Sequence, residues 1–197
     1  CIIGFTTDRP SLLTGEEIAV WQERLESPAY NGFLTHMYTD IRYLRLPELL
    51  YNGAGITHEP EAAEVAAYLD AIGMETLETD LEAIYAEDLS AFLDEHTGLA
   101  LSDFVSGLDW VYVEDYGSYY FQHGDTNYVQ PKVVSGEQNG ATVTLTVAVQ
   151  DWNADVSAAC GAPWGDATLT ITDGKIVSYT NDLYASVEAM AWSYIEN

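Results

Sequence analysis

The residues best suited to chemistry lie between Leu108 and Tyr128, in LDWVYVEDYGSYYFQHGDTNY. Trp110, Tyr112, Tyr116, Tyr119, Tyr120, Phe121 and Tyr128 surround a polar turn, His123-Gly124-Asp125-Thr126-Asn127. Tyrosine offers an apolar face with a polar tip, which suits sugars and peptides. Imidazole serves as a general base where a second group orients it. The candidate ligand-binding set is therefore Tyr112, Tyr120, His123, Asp125, Asn127 and Tyr128. The same turn also has a structural explanation. Asp and Asn side chains bond amides of their own turn, which would hold the aromatic strand in register. The structural role is the primary expectation for Asp125 and Asn127.

Other constellations carry less. Asp151, Asn153 and Asp155 occupy the first ligand positions of a calcium loop, but Val156 stands where the sharp turn needs Gly. Ala162 stands where a bidentate Glu is required. Calcium there is the only metal candidate. Cys160-Gly161-Ala162-Pro163-Trp164 resembles the start of a cysteine-protease motif, yet Pro163 takes the nucleophile's place and no His follows it. His36, His58, His96 and His123 lack the i,i+4 pairing of a helical zinc site. Phosphate-binding and dinucleotide-binding glycine motifs are missing. No catalytic residue and no cofactor is assigned.

The charge distribution excludes whole classes of partner. The chain of 197 residues has a formal net charge of −26. Between Leu46 and Pro131 there are eighteen Asp and Glu and no Lys or Arg. Binding nucleic acid relies on cationic side chains neutralising phosphates, so nucleic acid is excluded as a partner. No apolar run is long enough to span a bilayer. An apolar fraction of 48% argues for a folded globule despite the charge.

Cys1 in place of Met points to a processed or truncated chain. Three states of Cys1 are open: a lipid-anchored N-terminal cysteine, a disulfide with Cys160, or a free thiol. The first two place the protein outside the cytoplasm.

The elements that must position these residues fall into two halves. Up to Gly107 the apolar spacing is helical. Thr14 and Glu17 fit a capping box, and Ser27-Pro28 ends the helix they begin. Phe33, Met37, Ile41 and Leu44 continue at helical spacing. Pro47 suits a short helix that Gly53 stops. AEVAAYLDAI follows Pro60 and stops at Gly73, and a further helix around Asp88–Leu93 closes at Gly98. From Leu108 the period becomes two: Val143, Leu145, Val147 and Val149 alternate with Thr and Ala. Asn139-Gly140 and Asp173-Gly174 are hairpin dipeptides. Ser186–Ile195 reads as a closing helix.

The expectation is one α+β domain over 1–197. Helices (1–107) pack on a curved antiparallel sheet (108–183), followed by a C-terminal helix (184–197). Nuclear-transport-factor-like and cystatin-like cups share that order of elements, an analogy at the level of fold.

Leu46-Pro47-Glu48-Leu49-Leu50-Tyr51-Asn52-Gly53-Ala54-Gly55, the segment Asp88–Leu99, and Trp110–Tyr128 with its His-Gly-Asp-Thr-Asn-Tyr block carry a resemblance. They are similar to extracytoplasmic domains of uncharacterised lipoproteins and membrane-anchored proteins of Firmicutes, especially gut Clostridia. The resemblance covers about residues 12–181 and departs around Asp151–Trp164 and after Asn181. It implies a secreted or lipid-anchored surface location and carries no catalytic residue across. The expected function is a non-catalytic extracytoplasmic binding or accessory domain for a glycan, peptide or surface protein. The alternative is a cup-shaped hydrolase or isomerase using His123 and Asp125.

Overall fold

The computed structural model describes residues 9–150 and 165–195. Among the described residues, six α-helices and eight strands in antiparallel sheets make an α+β fold that closes on a C-terminal helix. The strands are divided between two sheets. The larger has the order β1 (Ser11–Leu12), β5 (Gln130–Asn139), β6 (Thr142–Gln150), β7 (Ala167–Thr172), β8 (Lys175–Thr180). The smaller is β2 (Asp80–Tyr85), β4 (Ser118–His123), β3 (Val111–Val113).

Alternation in the larger sheet follows the sequence. Leu145 pairs with Leu169, Val143 with Ile171 and Val133 with Val147. Val133, Leu145, Val147, Leu169, Ile171, Ile176 and Tyr179 are buried in the main core. Thr142, Thr144 and Thr146 pair with Thr172, Thr170 and Thr168 on the opposite, polar face. The β7–β8 turn is Asp173-Gly174, both at positive φ, as a type I′ hairpin requires. In the β5–β6 hairpin, Asn139 pairs with Thr142, so the two-residue loop is Gly140-Ala141. Gly140 at the first loop position accepts φ +59°, which shifts the turn one residue from the Asn139-Gly140 dipeptide.

Helix α1 (Gly15–Glu26) begins with the expected capping box: the Glu17 amide donates to Thr14 Oγ1 and the Thr14 amide to Glu17 Oε2. It ends at Ser27, before α2 (Pro28–Asn31). α3 (Leu46–Leu50), α4 (Ala62–Ile72) and α5 (Ala86–Thr97) follow, with Gly73 and Gly98 as left-handed C-caps. The C-terminal helix is α6 (Asp182–Ile195). Phe33, Met37, Ile41 and Leu44 do not form one helix. Gly32–Leu34 and Ile41–Tyr43 are separate 3₁₀ turns, with an antiparallel bridge from Tyr38 to Tyr179 between them. The Asp40 side chain caps the second turn by accepting from the Arg42 amide, which restarts the chain there. At Gly32 a Cβ would run into the Leu49 carbonyl, so only glycine lets the Gly32–Leu34 turn lie this close to α3.

The main departure from the helical reading of the first half is β2. Gly73 stops α4, and the chain from Asp80 to Tyr85 joins β4 as a strand. Phe33, Leu44, Leu46, Leu49, Leu50, Ile84 and Leu93, all buried, knit the helical half to this sheet and to the larger one in a single core. A small second cluster, Tyr68, Ala83 and Tyr120, lies on the other face of the three-stranded sheet.

Candidate functional site

The small sheet sorts its side chains by strand register. Glu82 pairs with Phe121, Ile84 with Tyr119 and Asp80 with His123 on one face. Tyr112 pairs with Tyr119 and joins them there. Ala83 pairs with Tyr120, Leu81 with Gln122 and Tyr85 with Ser118 on the other. Each face carries one histidine–glutamate pair.

On the first face His123 Nε2 is 2.9 Å from Glu82 Oε1. The two residues sit diagonally across β2 and β4, within reach of long side chains. A carboxylate only accepts, so the ring donates from Nε2. Nδ1 is buried, with no partner among the described residues. The ring lies parallel to Phe121 (centroids 6.0 Å, 5°), which in turn stacks on Trp110 (5.1 Å, 9°). Tyr51 closes over His123 at 5.1 Å and over Phe121 at 6.1 Å. The next residue, Asn52, accepts the Asn127 amide on Oδ1 at 2.8 Å. Gly53 follows at φ +79°, where a Cβ would meet Thr57 at 2.5 Å and Glu82 Oε2 at 3.3 Å. Two separate motifs, Tyr51-Asn52-Gly53 and His123–Asn127, are thus joined around Glu82.

On the second face Glu64, near the start of α4, is the acceptor for three donors. His58 Nε2 lies 2.9 Å and the Tyr120 hydroxyl 2.7 Å from Oε1, and the Glu61 amide donates to Oε2 at 2.8 Å. Burial pushes this carboxyl's pKa up, but the bonds from His58, Glu61 and Tyr120 outweigh it and hold the pKa below its ordinary value. Burial and the bond to Glu64 raise the Tyr120 pKa. His58 stacks flat on Tyr85 (3.8 Å, 8°) and bridges to Ala83 by its backbone. Both oxygens of Glu64 are engaged, so this cluster fixes α4 to the sheet.

A third feature is an open groove of about 640 Å³ between α1 and the segment Tyr128–Val133. Its framework is held by two side-chain amides. Asn31 donates to the Val129 carbonyl at 2.9 Å and accepts the Val129 amide at 3.0 Å. Gln22 donates to the Pro131 carbonyl and accepts the Val133 amide, both at 2.8 Å. These amides take the place of a neighbouring strand along an edge that would otherwise expose unpaired groups. Beyond them β1 pairs with Glu137 and Gln138. Tyr128, 40% exposed, and the exposed Gln130 and Lys132 line the groove.

The six candidate ligand residues are therefore dispersed. His123 lies under Tyr51, and Tyr120 is buried on the opposite face with Glu64. Tyr112 is 48% exposed on β3 beside Tyr119. Tyr128 enters the groove. Asp125 is exposed and bonds no described residue. The turn is not held by Asp125 and Asn127 side chains bonding their own amides; the Asn52 side chain holds it from another element through the Asn127 amide. Glu82, Glu64, Gln22 and Asn31 carry the geometry without standing out in the sequence. Cys1, Cys160, Asp151, Asn153 and Asp155 lie outside the described residues. Among the described residues no group of three or more His, Cys, Asp and Glu could hold a metal ion, and no helix is long and apolar enough to cross a membrane. No protein-family model, curated protein or solved structure matches the chain.

Proposed function

We propose that this chain is a non-catalytic, extracytoplasmic binding domain whose ligand lies in the groove between α1 and Tyr128–Val133. The observation that supports this is the groove's construction. Gln22 and Asn31 spend their amides on the Val129–Val133 backbone, so the walls are ordered before any ligand arrives. A preorganised wall lowers the entropic cost of binding. Tyr128, Gln130 and Lys132 are left to face the ligand. The extracytoplasmic location rests on the resemblance. A glycan and muropeptide binding screen on wild type and Tyr128→Ala is the test. A ligand whose affinity falls about tenfold in the variant supports the proposal, since an aromatic stacking contact is worth about 1 kcal/mol or a little more. Ligands that ignore the variant count against it.

The second reading, acid–base chemistry at His123, has one observation in its favour: the oriented Nε2···Glu82 contact of 2.9 Å. Asp125 takes no part in it. The buried Nδ1 would have to be uncovered before it could meet a substrate.

A further inference from the structure

We infer that the groove takes an oligosaccharide bearing an isolated carboxylate, with a sugar face on Tyr128 and the carboxylate on Lys132. This rests on the groove being the binding site. Three observations narrow the ligand.

The first is the state of the cations. Of the six Lys and Arg, Arg24 lies over the Trp21 ring at 4.5 Å, Arg42 pairs with Asp40 and Arg45 with Glu48. Lys175 Nζ donates to the Asp94 and Glu95 carbonyls at the end of α5. Among the described residues only Arg9 and Lys132 have no ion pair, hydrogen bond or ring partner. Lys132 is the one that lines a groove. In a chain with net charge −26, a cation left without an acid partner is well placed to receive an anionic group from outside. The surrounding negative field disfavours polyanions, so one carboxylate fits better than a phosphate chain.

The second is what the groove lacks. Extended peptides gain affinity on a strand by bonding its free amides and carbonyls. Here the amides of Val129 and Val133 and the carbonyls of Val129 and Pro131 are already bonded by Asn31 and Gln22. Side chains alone remain, which suits stacking and point contacts with a sugar better than strand addition.

The third is spacing. Gln130 and Lys132 are alternate residues of β5 and Tyr128 precedes them by two, so the three follow one another along the groove wall. An aromatic platform, an amide and a cation in that order match a ring, its hydroxyl or acetamido groups, and a carboxylate further along the chain.

Calorimetric titration with three probes tests the inference: the carboxylate-bearing disaccharide of N-acetylglucosamine and N-acetylmuramic acid, its neutral counterpart chitobiose, and an extended pentapeptide carrying one glutamate. The acidic disaccharide is expected to bind at least about fivefold tighter than chitobiose. Lys132→Gln should abolish that difference, while Tyr128→Ala should weaken both sugars about tenfold. Both positions are exposed, and an unchanged melting temperature verifies that each variant folds. Equal binding of the two sugars, unaffected by Lys132→Gln but lost in Tyr128→Ala, overturns the carboxylate inference and leaves the groove as the site. Tighter, Tyr128-dependent binding of the peptide overturns the saccharide. Sugar binding that neither variant changes overturns both the inference and the groove reading. No binding of any probe at millimolar concentration overturns the inference alone, since the broader screen still judges the groove.

Discussion

Glu64 and Glu82 sit on opposite faces of the same three-stranded sheet, each with a histidine Nε2 at 2.9 Å, and they play different parts. Glu64 is buried and takes three donors, two from side chains and one from its own helix terminus. Glu82 takes one donor, keeps Oε2 beside Gly53, and its side chain is 26% exposed. A buried carboxylate that takes three donors is a fastener whose removal strands several donors at once. A half-satisfied one at the sheet edge orients a single ring. Equal pair distances therefore conceal unequal energetic weights, and the number of donors separates them.

The largest expected effect is Glu64→Ala, which leaves the buried Tyr120 hydroxyl unpaired and releases His58 and the Glu61 amide. It should cost about 3 kcal/mol or more in denaturant unfolding. Glu64→Gln should cost about 2 kcal/mol, because a side-chain NH₂ must face one of those donors. A loss below about 1 kcal/mol for both variants would break the contrast with Glu82.

The second effect is acid sensitivity. His36 Nε2 accepts the Arg45 amide at 3.0 Å, and Thr35 Oγ1 lies 3.1 Å from Nδ1. Burial first, and the Arg45 charge second, lower its pKa from 6.5 to about 4. The unfolded chain thus binds a proton that the folded chain refuses. Stability held above pH 6.5 is lost as the pH falls towards 4, by about 2–3 kcal/mol from this residue. His96, also lowered by burial, acts in the same direction. Glu64 adds its loss below its unfolded pKa of 4.5, as the pH falls through the lower folded value. Unfolding free energies at pH 7, 5.5 and 4 should decline, and His36→Gln should flatten the upper part of that slope. An unchanged slope in the variant would remove His36 from the account.

Glu82→Gln should cost about 1 kcal/mol or less, since the amide oxygen can still accept from His123. Asp125→Ala should stay within about 0.5 kcal/mol of wild type, because the side chain is exposed and bonds no described residue. A cost above 1 kcal/mol there would restore the self-capped turn. Asn52→Ala, by contrast, should cost about 1 kcal/mol by releasing the Asn127 amide.

Local chemistry was legible in the sequence, and long-range pairing was not. The capping box at Thr14 and Glu17, the glycine stops at Gly73 and Gly98, the Thr/Val alternation of β6 and the Asp173-Gly174 turn depend on neighbours a few residues away. Each appears in the structure. Strand β2 escaped because Asp80–Tyr85 is short, acidic and set between two helices. Its one signal was the stop at Gly73 followed by alternation of Asp80, Glu82 and Ile84 with Leu81, Ala83 and Tyr85. Without β2, Glu82 could not be placed beside His123, forty-one residues later in the chain. The Tyr51-Asn52-Gly53 and His123–Asn127 motifs each stood out in the sequence, but their union through Asn52 is a tertiary contact that no local pattern encodes. Gln22 and Asn31 were invisible for the same reason: a polar helix residue becomes a strand surrogate only when a strand edge arrives beside it.

The most direct test of the groove is amide chemical-shift mapping of the tightest ligand from the glycan and muropeptide screen. The account predicts perturbations centred on Ile18, Ala19, Tyr128, Gln130 and Lys132, with Glu82 and His123 left in place. Perturbations centred on Tyr51, Glu82 and His123, with α1 and Tyr128–Val133 unchanged, would contradict it and move the site to the histidine–glutamate pair.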